Sequence, residues 1–566
     1  MKKSKTAKID LSEARLARMA DKYYNEGKYL SALRLAVRQY ELFGGDEEVF
    51  ARFSDIYEGM GLHLSAINWW YRYLDIAMED ELPDIYEGLA VNYLNLGNET
   101  QSAYYYNKLI DADDTLPNET KLDIIDAFAK DKKEKLRFVY PPKLADYSKE
   151  IEFGSRALKM GDCPRAIQTL SVVERGSKDY PQAIEMQAVA QLLAGNSEEA
   201  ERLCKELLVD YPDDIRTLAT LAAVYLEQGK TEESKALALQ LYRLEQTEAE
   251  DLYKVATVCC ENGLHGEAYQ KFCLLEKKLP YDGRMLYFKA VAAFKCGKRK
   301  EAQDTLDTLC TVYPDAEVAK YYLKSWRLAE ETGEEPIDPT YFYHLPQAER
   351  EERSELLLHM SKAPKDEAQL IGLLALHDGY FRWCFDEMDG GDHDLQYLAI
   401  LCAERAGADE FLEEVLLDCE VADVLKIETL RMLYERNEEA DVGLVLCHIY
   451  RRIRIQPIRI GRKKKKRFVC GYAKIASKFV VINDAYAGKL RRATEAFYKT
   501  MEEKNCLDLV NNDDVAACVI FLLSGLKELG SDANAIARAF DADVNAVQKI
   551  LAVITDSNEE KINEID

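Results

Sequence analysis

The residues best suited to a chemical role are cations clustered in the C-terminal half of the chain. Between Val442 and Asn483 the sequence contains no Asp or Glu, although the net charge of the whole chain is −26. Clustered cations bind the phosphates of nucleic acids or anionic lipids, because counterions are released when they meet a polyanion. Docking on an acidic protein face, including one of this chain, and plain solvation are the other interpretations. The candidate polyanion-binding residues are Arg459, Arg462, Lys463, Lys464, Lys465, Lys466 and Arg467.

An alternating apolar pattern predicts that these cations are carried by a short β-hairpin. Isoleucines alternate with polar residues on both sides of Pro457, and a proline in a strand favours a sheet edge or a bulge. The alternating residues are Ile453, Ile455, Ile458 and Ile460. We therefore expect a basic hairpin over residues 451–470 with its tip at residues 461–467. Such an interruption of a helical region is typical of a functional loop.

A second candidate contact with nucleic acid lies near the C-terminus. The spacing of small and apolar residues from Ile536 to Leu551 resembles a helix-turn-helix core, with Asp541 where glycine is usual in the turn. The would-be recognition helix offers few groups that could read or hold DNA. Its candidate DNA-binding residues are Asn545, Gln548 and Lys549. Because Lys549 is its one cation, phosphate affinity is expected to be poor, and a small helical packing or protein-docking motif is the favoured interpretation.

Catalytic patterns are sparse. The pairs His377-Asp378 and His393-Asp394 resemble the pairs that hold divalent ions in metal phosphohydrolases, but that chemistry needs further ordered His and Asp residues. No phosphate-binding loop, zinc-protease motif or nucleophile elbow occurs. The sequence therefore predicts surface loops at the two pairs, no enzymatic activity, no metal site and no cofactor.

A 34-residue period organises much of the chain and must position any site within it. From Tyr147 to Ala316 the same residue types return five times without an insertion. One small-residue slot holds Gly154, Ala188, Ala222, Ala256 and Ala290. A glycine slot holds Gly161, Gly195, Gly229, Gly263 and Gly297, and a second small slot holds Ala166, Ala200, Ser234, Ala268 and Ala302. The period predicts stacked helix pairs, in which the small slots allow close approach and each glycine ends a first helix in a left-handed turn.

The repeat resembles the tetratricopeptide repeat (TPR) family. In residues 249–282 the slots of the family pattern are filled, in order, by Leu252, Val255-Ala256, Cys259, Ala268, Phe272 and Pro280. Leu, Ala and Cys replace the family's Trp, Gly and Tyr. The resemblance implies antiparallel helix pairs wound into a right-handed superhelix with a concave groove. Three more units precede this array.

The sequence predicts an all-α chain: an α-solenoid of TPR-like helix pairs in two arrays, followed by an irregular helical C-terminal region with one short β-hairpin. The spacing of apolar residues in 411–431 resembles one or two HEAT-type helix pairs. The expected organisation is array 1 at 13–116 with three units, a helix and Pro-Pro elbow at 117–146, array 2 at 147–330 with five units and a capping helix, a connection at 331–348, an irregular helical region at 349–450, the basic hairpin at 451–470, and a C-terminal helical region with the helix-turn-helix-like tail at 471–566.

The first helix of each TPR-like unit lines the concave face, so its exposed slots are the candidate ligand contacts. In array 1 these slots are mainly acidic. In array 2 they are aromatic with isolated arginines, and the candidate protein- or peptide-binding residues are Arg216, Tyr253, Arg284, Tyr287 and Phe294. Tyr and Arg are common interface anchors, although ordinary packing between repeats explains Tyr253 and Tyr287 equally well.

These features predict a non-catalytic scaffold that binds a protein or peptide partner. The alternative is a peptide-responsive transcriptional regulator that binds DNA through its C-terminal tail. Fourteen cysteines without a paired framework favour a reducing compartment, and with no secretory signal the cytoplasm is expected. No apolar stretch is long enough for a membrane span. Partner identity and oligomeric state stay open.

Overall fold

The computed structural model describes residues 12–113, 115–128, 147–377, 379–386, 392–460, 466–526 and 532–563. Within these ranges the chain is helical apart from loops and one two-stranded sheet, so the predicted all-α repeat fold with a single short hairpin is confirmed. The chain divides into two compact units. The first unit comprises residues 1–128, 347–385 and 390–566, and the second comprises residues 129–346 and 386–389.

The N-terminal part of the first unit consists of antiparallel helix pairs, in which we call the first helix of a pair the A-helix and the second the B-helix. They are α1 (Glu13–Asn25) with α2 (Tyr29–Phe43), α3 (Glu47–Gly59) with α4 (His63–Ile76), and α5 (Leu82–Asn95) with α6 (Glu99–Ala112), followed by α7 (Asn118–Phe128). The expected elbow at residues 129–146 lies outside the described residues.

The second unit repeats the same arrangement and ends with a single helix. Its pairs are α8 (Ser148–Lys159) with α9 (Cys163–Leu170), α10 (Tyr180–Leu193) with α11 (Ser197–Asp210), α12 (Ile215–Glu227) with α13 (Thr231–Arg243), α14 (Ala249–Glu261) with α15 (His265–Leu275), and α16 (Gly283–Lys295) with α17 (Arg299–Val312), followed by α18 (Glu317–Thr332).

Small residues bring the two helices of each pair together. Four of the five residues in the first slot are alanines with 0% exposure, and the fifth is Gly154. A Cβ atom on Gly154 would lie 2.6 Å from the side chain of Leu170 on the partner helix, so a larger residue would have to displace Leu170. The glycine slot is equally strict, because all five of its members have φ between 68° and 80°, a conformation that is strained for residues with a Cβ. The slots that defined the period therefore have the predicted physical roles.

The C-terminal part of the first unit is helical but lacks the period. Its helices are α19 (Gln347–Lys362), α20 (Lys365–His377), α21 (Tyr380–Trp383), α22 (His393–Ala406), α23 (Asp409–Leu417), α24 (Asp423–Arg436), α25 (Lys466–Phe479), α26 (Ala485–Glu503), α27 (Asp513–Leu523), α28 (Ala533–Ala539) and α29 (Val544–Asn563), with a short 3-10 turn at Leu507–Leu509. Residues of α25 and α27 form its buried centre, where a Cβ on Gly471 would lie 2.6 Å from that of Ala516.

The hairpin lies earlier in the chain than the sequence predicts. Its strands are β1 (Ala440–Leu446) and β2 (Ile449–Ile455), paired antiparallel with Val442 opposite Ile453. The expected boundaries of 451–470 and the expected tip at 461–467 are therefore wrong, and part of the expected helical region 349–450 is strand. Residues 461–465 lie outside the described residues, and Lys466 begins α25.

Backbone conformation explains where the hairpin turns. Cys447 and His448 connect the strands with φ of 50° and 58°. Positive φ at both positions of a two-residue loop matches the twist of the flanking strands. Because Cys-His carries none of the usual Asn-Gly signal, the sequence pattern did not reveal this turn. The second strand ends before Pro457, which cannot donate to a ladder.

The buried first slot predicts a sharp size limit. Ala222 on α12 is fully buried, whereas the next residue, Ala223, is half-buried. We expect Ala222→Leu to lower the free energy of unfolding by about 2 kcal/mol, because overpacking forces the helices apart. Chemical denaturation followed by circular dichroism measures this loss. Ala223→Leu is the matched control, and equal losses in the two variants would contradict the size limit.

Candidate functional site

The candidate groove of array 2 is formed by A-helices and carries charged and aromatic side chains that bind one another across repeats. Arg216 on α12 forms an ion pair with Glu250 on α14, with Nη2 and Oε2 2.7 Å apart. Tyr253 on α14 is half-buried and lies near Arg284 on α16. Burial raises the pKa of Tyr253 to about 12, against the opposing effects of the charge and hydrogen bond of Arg284. Of these three predicted contacts, Tyr253 and Arg284 lie together, and Arg216 is bonded to Glu250 on the helix that carries Tyr253.

The groove at α14, α16 and α18 is occupied by an extended segment of the chain. This segment, residues Ile337–Leu345, has no helix or strand, and we call it the strap. It lies within the region expected to be a plain connection. Five of its residues contact side chains of the A-helices or of α18 through hydrogen bonds or an ion pair: Ile337, Asp338, Thr340, Phe342 and His344.

Tyr287 is bound by the strap. Its side chain has 0% exposure, and its hydroxyl lies 3.0 Å from the carbonyl oxygen of Thr340 and 3.2 Å from that of Phe342, which share its proton. The ring of Tyr343 meets the ring of Tyr287 edge-on, with centroids 4.8 Å apart. Tyr287 was predicted as a ligand contact or as packing between repeats, and in this structure the chain's own backbone covers it.

Other side chains hold the two ends of the strap. The indole Nε1 of Trp326 on α18 donates to the carbonyl oxygen of Ile337 at 2.9 Å, and Nζ of Lys295 lies 2.9 Å from the Asp338 carboxylate. Phe294, a predicted contact, stacks on Trp326 with centroids 4.6 Å apart. In this structure Phe294 therefore packs α16 against α18.

The two tyrosines of the strap enter the groove, and the residue between them faces outward. The hydroxyl of Tyr341 lies 2.9 Å from Nδ1 of His265, and the two rings stack. The hydroxyl of Tyr343 donates to the carboxylate of Asp386 at 3.0 Å. Phe342, between them, is 71% exposed. This alternation is that of an extended peptide lying on a surface.

Asp386 joins the strap to the start of α18. Its carboxylate accepts a hydrogen bond from the backbone N–H of Val318 at 2.8 Å as well as the bond from Tyr343. Removal from water raises the pKa of Asp386 to about 7, helped by the charges of Glu317 and Asp315 and opposed by the two hydrogen bonds. The group therefore changes its charge near neutral pH.

Array 1 presents a different, acidic surface. A cavity of about 260 Å³ is lined by Asp21, Tyr24, Glu48, Ala51, Arg52, Asp55 and Ile56. Arg52 is already engaged, because its Nε lies 2.7 Å from Asp21. Loss of solvation and the charge of Glu58 raise the pKa of Asp55 to about 6. The acidic side chains expected on this face are thus present, although one is paired within the chain.

The far end of array 1 holds the tip of the hairpin. The hydroxyl of Tyr71 lies 2.7 Å from that of Tyr93 and 3.1 Å from that of Tyr105, and it donates to the carbonyl oxygen of His448 at 2.8 Å. The Tyr105 hydroxyl also accepts from the N–H of Tyr450 at 3.3 Å. This tyrosine cluster therefore recognises backbone groups of the turn.

Two further contacts flank the tyrosine cluster on α4. Asn68 donates to Asp418 at 2.9 Å and accepts from the N–H of Cys419 at 2.8 Å. Asp75 accepts from the hydroxyl of Tyr450 at 2.7 Å, and its backbone carbonyl accepts from Arg452. Array 1 and the hairpin are thus bound through residues more than 340 positions apart in the chain.

The predicted polyanion contacts are placed only in part. Arg459 is exposed and its backbone N–H donates to Glu495 at 2.8 Å, whereas Lys466 and Arg467 are exposed in the first turn of α25. Arg467 also donates to the carbonyl oxygen of Val510 at 2.6 Å. Arg462, Lys463, Lys464 and Lys465 lie outside the described residues. Polyanion binding stays a prediction.

The C-terminal tail forms the two helices that its spacing predicts. Asp541 occupies the turn between α28 and α29 with φ of 53°. Ile536, Ala537, Val547 and Ile550 are buried. Asn545, Gln548 and Lys549 are exposed on α29, and Gln548 donates to Asn534 at 2.8 Å. DNA binding by these three residues stays a prediction.

The sequence predicts neither a metal site nor a membrane span. The part of the chain that the structure describes contains no group of three or more His, Cys, Asp or Glu side chains placed to hold a metal ion. Within the same residues, no helix has the length and apolarity needed to cross a bilayer. All fourteen cysteines are free thiols.

Repeated helix pairs with small-residue contacts and glycine-ended A-helices define a TPR-like repeat protein. No protein-family model and no curated protein matches the chain significantly. Similar solved structures include MamA of AMB-1, with 17% identity, 29% of this chain and 89% of that chain covered, and a TM-score of 0.22. Another is a tetratricopeptide repeat protein from Parabacteroides merdae, with 16% identity, 52% and 99% covered, and a TM-score of 0.23. Yeast Tom70 has 11% identity, 98% and 99% covered, and a TM-score of 0.26. The likeness concerns the fold alone.

Sequence reasoning missed the strap and the tyrosine cluster. The strap did carry a signal, because Tyr341 and Tyr343 alternate with polar or exposed positions after Pro339. Aromatic side chains in a proline-containing connection are a poor fit to solvent and indicate a segment that packs. Asp386 carried no such signal, since its partners come from two other parts of the chain.

The shifted pKa of Asp386 predicts a pH dependence. Because the folded chain holds this proton up to about pH 7, whereas an ordinary Asp releases it near pH 4, the contribution of this group to stability falls as pH rises from about 4 to 7. We expect Asp386→Asn, which keeps an acceptor oxygen, to raise the free energy of unfolding at pH 8 by up to about 4 kcal/mol, since each unit of pKa corresponds to about 1.4 kcal/mol.

Denaturation of both chains across the pH range measures this effect. At pH 4 the wild-type carboxylic acid and the variant amide are both uncharged, which makes that end of the range the internal control. Parallel stability curves from pH 4 to 8 would show that the pKa of Asp386 is not raised in the folded chain.

Proposed function

We propose that this chain is a non-catalytic scaffold that binds an extended peptide segment of a partner protein along the A-helices of its TPR-like arrays. The observation that carries the proposal is the way the strap is held. Tyr287 and Trp326 donate to main-chain carbonyl oxygens of the strap rather than to its side chains. Carbonyl oxygens are present in every peptide, so such donors accept an extended chain of varied sequence.

Array 2 extends this surface beyond the strap. Toward its N-terminal end lie Arg216, Tyr253 and Arg284, the residues that the sequence predicted as contacts. Arg216 is paired with an exposed Glu250, and such exposed pairs exchange partners at little cost. Lys254 lies 3.7 Å from Glu185, which adds a further charge of each sign. Arg and Tyr supply planar, low-entropy contact area, which makes these residues suitable anchors for a partner peptide.

The two arrays offer different chemistry to partners. The cavity of array 1 is bordered by Asp21, Glu48 and Asp55, so a segment bound there would be basic. Array 2 combines arginines with tyrosines and suits a peptide with acidic and aromatic residues. The free thiols, most of them buried, agree with a reducing compartment, and we propose the cytoplasm as the site of action.

Selection of peptides by display against the full chain tests this function. Peptides that bind the array 2 surface are expected to lose at least about tenfold in affinity with Tyr253→Ala or Arg284→Ala, because truncation of an anchor residue typically costs about 2 kcal/mol or more and tenfold corresponds to about 1.4 kcal/mol. Isothermal titration calorimetry measures the change.

Arg202→Ala supplies the matched control. Arg202 lies on the B-helix α11 of the same array and pairs with Glu199 and Glu206. We expect it to bind selected peptides as the wild type does. Selected peptides that bind all three variants equally would refute the assignment of the groove, and a selection without binders would refute the proposed function.

A further inference from the structure

We infer that the strap is a displaceable internal ligand, and that the groove beneath it takes a partner peptide with the strap's own pattern. That pattern is an acidic residue followed at the third and fifth positions by tyrosines, as in Asp338, Tyr341 and Tyr343. The inference rests on the proposed function and names the peptide class for the α14, α16 and α18 part of array 2.

The strap is bound as a separate peptide would be. It has no helix or strand, and four of its backbone carbonyl oxygens accept hydrogen bonds from groove side chains. Its tyrosines enter the groove while Phe342 faces outward, stacked on His344 with centroids 5.9 Å apart. Because these contacts depend on an extended conformation and not on the peptide bonds that join the strap to its neighbours, the same segment supplied in solution could make them all.

The groove requires an occupant. Beneath the strap lie donors and acceptors from several helices, among them His265 on α15, Tyr287 on α16 and Trp326 on α18. Without the strap these groups would lose their partners in a largely apolar surface, which is unfavourable for buried polar atoms. A partner peptide must therefore supply the same hydrogen-bonding groups as the strap, and peptides that resemble the strap are selected.

Several contacts of the strap are weak enough for exchange. The ion pair between Asp338 and Lys295 is exposed on the aspartate side, where the side chain keeps 73% of its surface in solvent. Residues 333–335, which lead from α18 to the strap, are exposed and without regular structure. The large apolar ring of Phe342 stays in water in the bound state. Release of the strap thus breaks its hydrogen bonds and ring contacts with the groove but disrupts no secondary structure.

Tethering sets the strength of the competition. A segment joined by a short linker acts at an effective concentration of about 1 mM. A free peptide with an intrinsic Kd of about 1 μM would therefore bind the intact chain with an apparent Kd about 1,000-fold weaker. Substitutions that weaken the contacts of the strap should restore part of the roughly 1,000-fold loss in the apparent affinity for the free peptide.

The test uses the full chain and a fluorescent synthetic peptide that spans residues 335–347. We expect the double variant Tyr341→Ala, Tyr343→Ala to bind this peptide at least about tenfold tighter than the wild type by fluorescence anisotropy, because the tethered competitor is weakened. Asp338→Ala, which removes only the exposed ion pair, should give a smaller gain of about threefold. Phe342→Ala is the matched control and should bind as the wild type does.

Hydrogen exchange and circular dichroism accompany the binding measurements. A gain of peptide binding by the double variant or by Asp338→Ala, with helicity retained, supports the internal ligand. If exchange shows the strap detached in either variant and neither binds the peptide better than the wild type, the strap is a structural element and the inference is wrong. Peptides from display that still bind through Tyr253 and Arg284 would then leave the proposed function intact, so the two failures are distinguishable.

Discussion

The close approach of two helices in each repeat is the constraint on which the rest of the molecule depends. Where a small residue faces the partner helix, the backbones come together, and a Cβ added at Gly154 would already overlap Leu170. Where a small slot holds serine, a hydrogen bond to the partner helix satisfies its hydroxyl, since Ser234 donates to the carbonyl oxygen of Ala222 at 2.9 Å. The equivalent serine of array 1, Ser102, makes the same bond to Ala90 at 2.8 Å. Because every pair closes in this way, successive A-helices present the same slots to one side, and that alignment creates the groove.

A surface built from repeated slots has to satisfy the polar groups that it displays. In array 2 the hydroxyl of Tyr287, the indole of Trp326 and the imidazole of His265 are bonded by backbone carbonyls and a tyrosine of the strap. In array 1 the tyrosine cluster around Tyr71 binds the turn of the hairpin in a comparable way, because the Tyr71 hydroxyl donates to a backbone carbonyl oxygen of the turn. In both units, therefore, tyrosine hydroxyls on the repeats hold irregular backbone from later in the chain. This shared chemistry relates the repeats to the non-repetitive parts that follow each array.

Local patterns were enough to predict the helix pairs, since the period, the glycine slot and the small slots all act within one unit of about 34 residues. In the C-terminal tail, Ile536, Ala537 and Val547 of the predicted helix-turn-helix spacing are buried, whereas Leu551 is half-buried. The hairpin was misplaced because its turn, Cys447-His448, adopts positive φ without the usual residues. The strap, the burial of Tyr287 and the partners of Asp386 escaped prediction because each depends on segments distant in sequence. A one-dimensional period reports where side chains point and is silent about which later segment covers them.

The tyrosine cluster of array 1 also bears on the order in which the chain folds. Tyr71 receives its backbone partner from His448, 377 residues further along. During synthesis, array 1 leaves the ribosome long before the turn exists, so its final helix pairs must wait with their hydroxyls and apolar rings exposed. Domains normally fold from the N-terminus as they emerge, and contacts of long sequence separation slow that process. The first unit therefore folds late, because the N-terminal repeats gain their last native contacts only after the C-terminal segment has been synthesised.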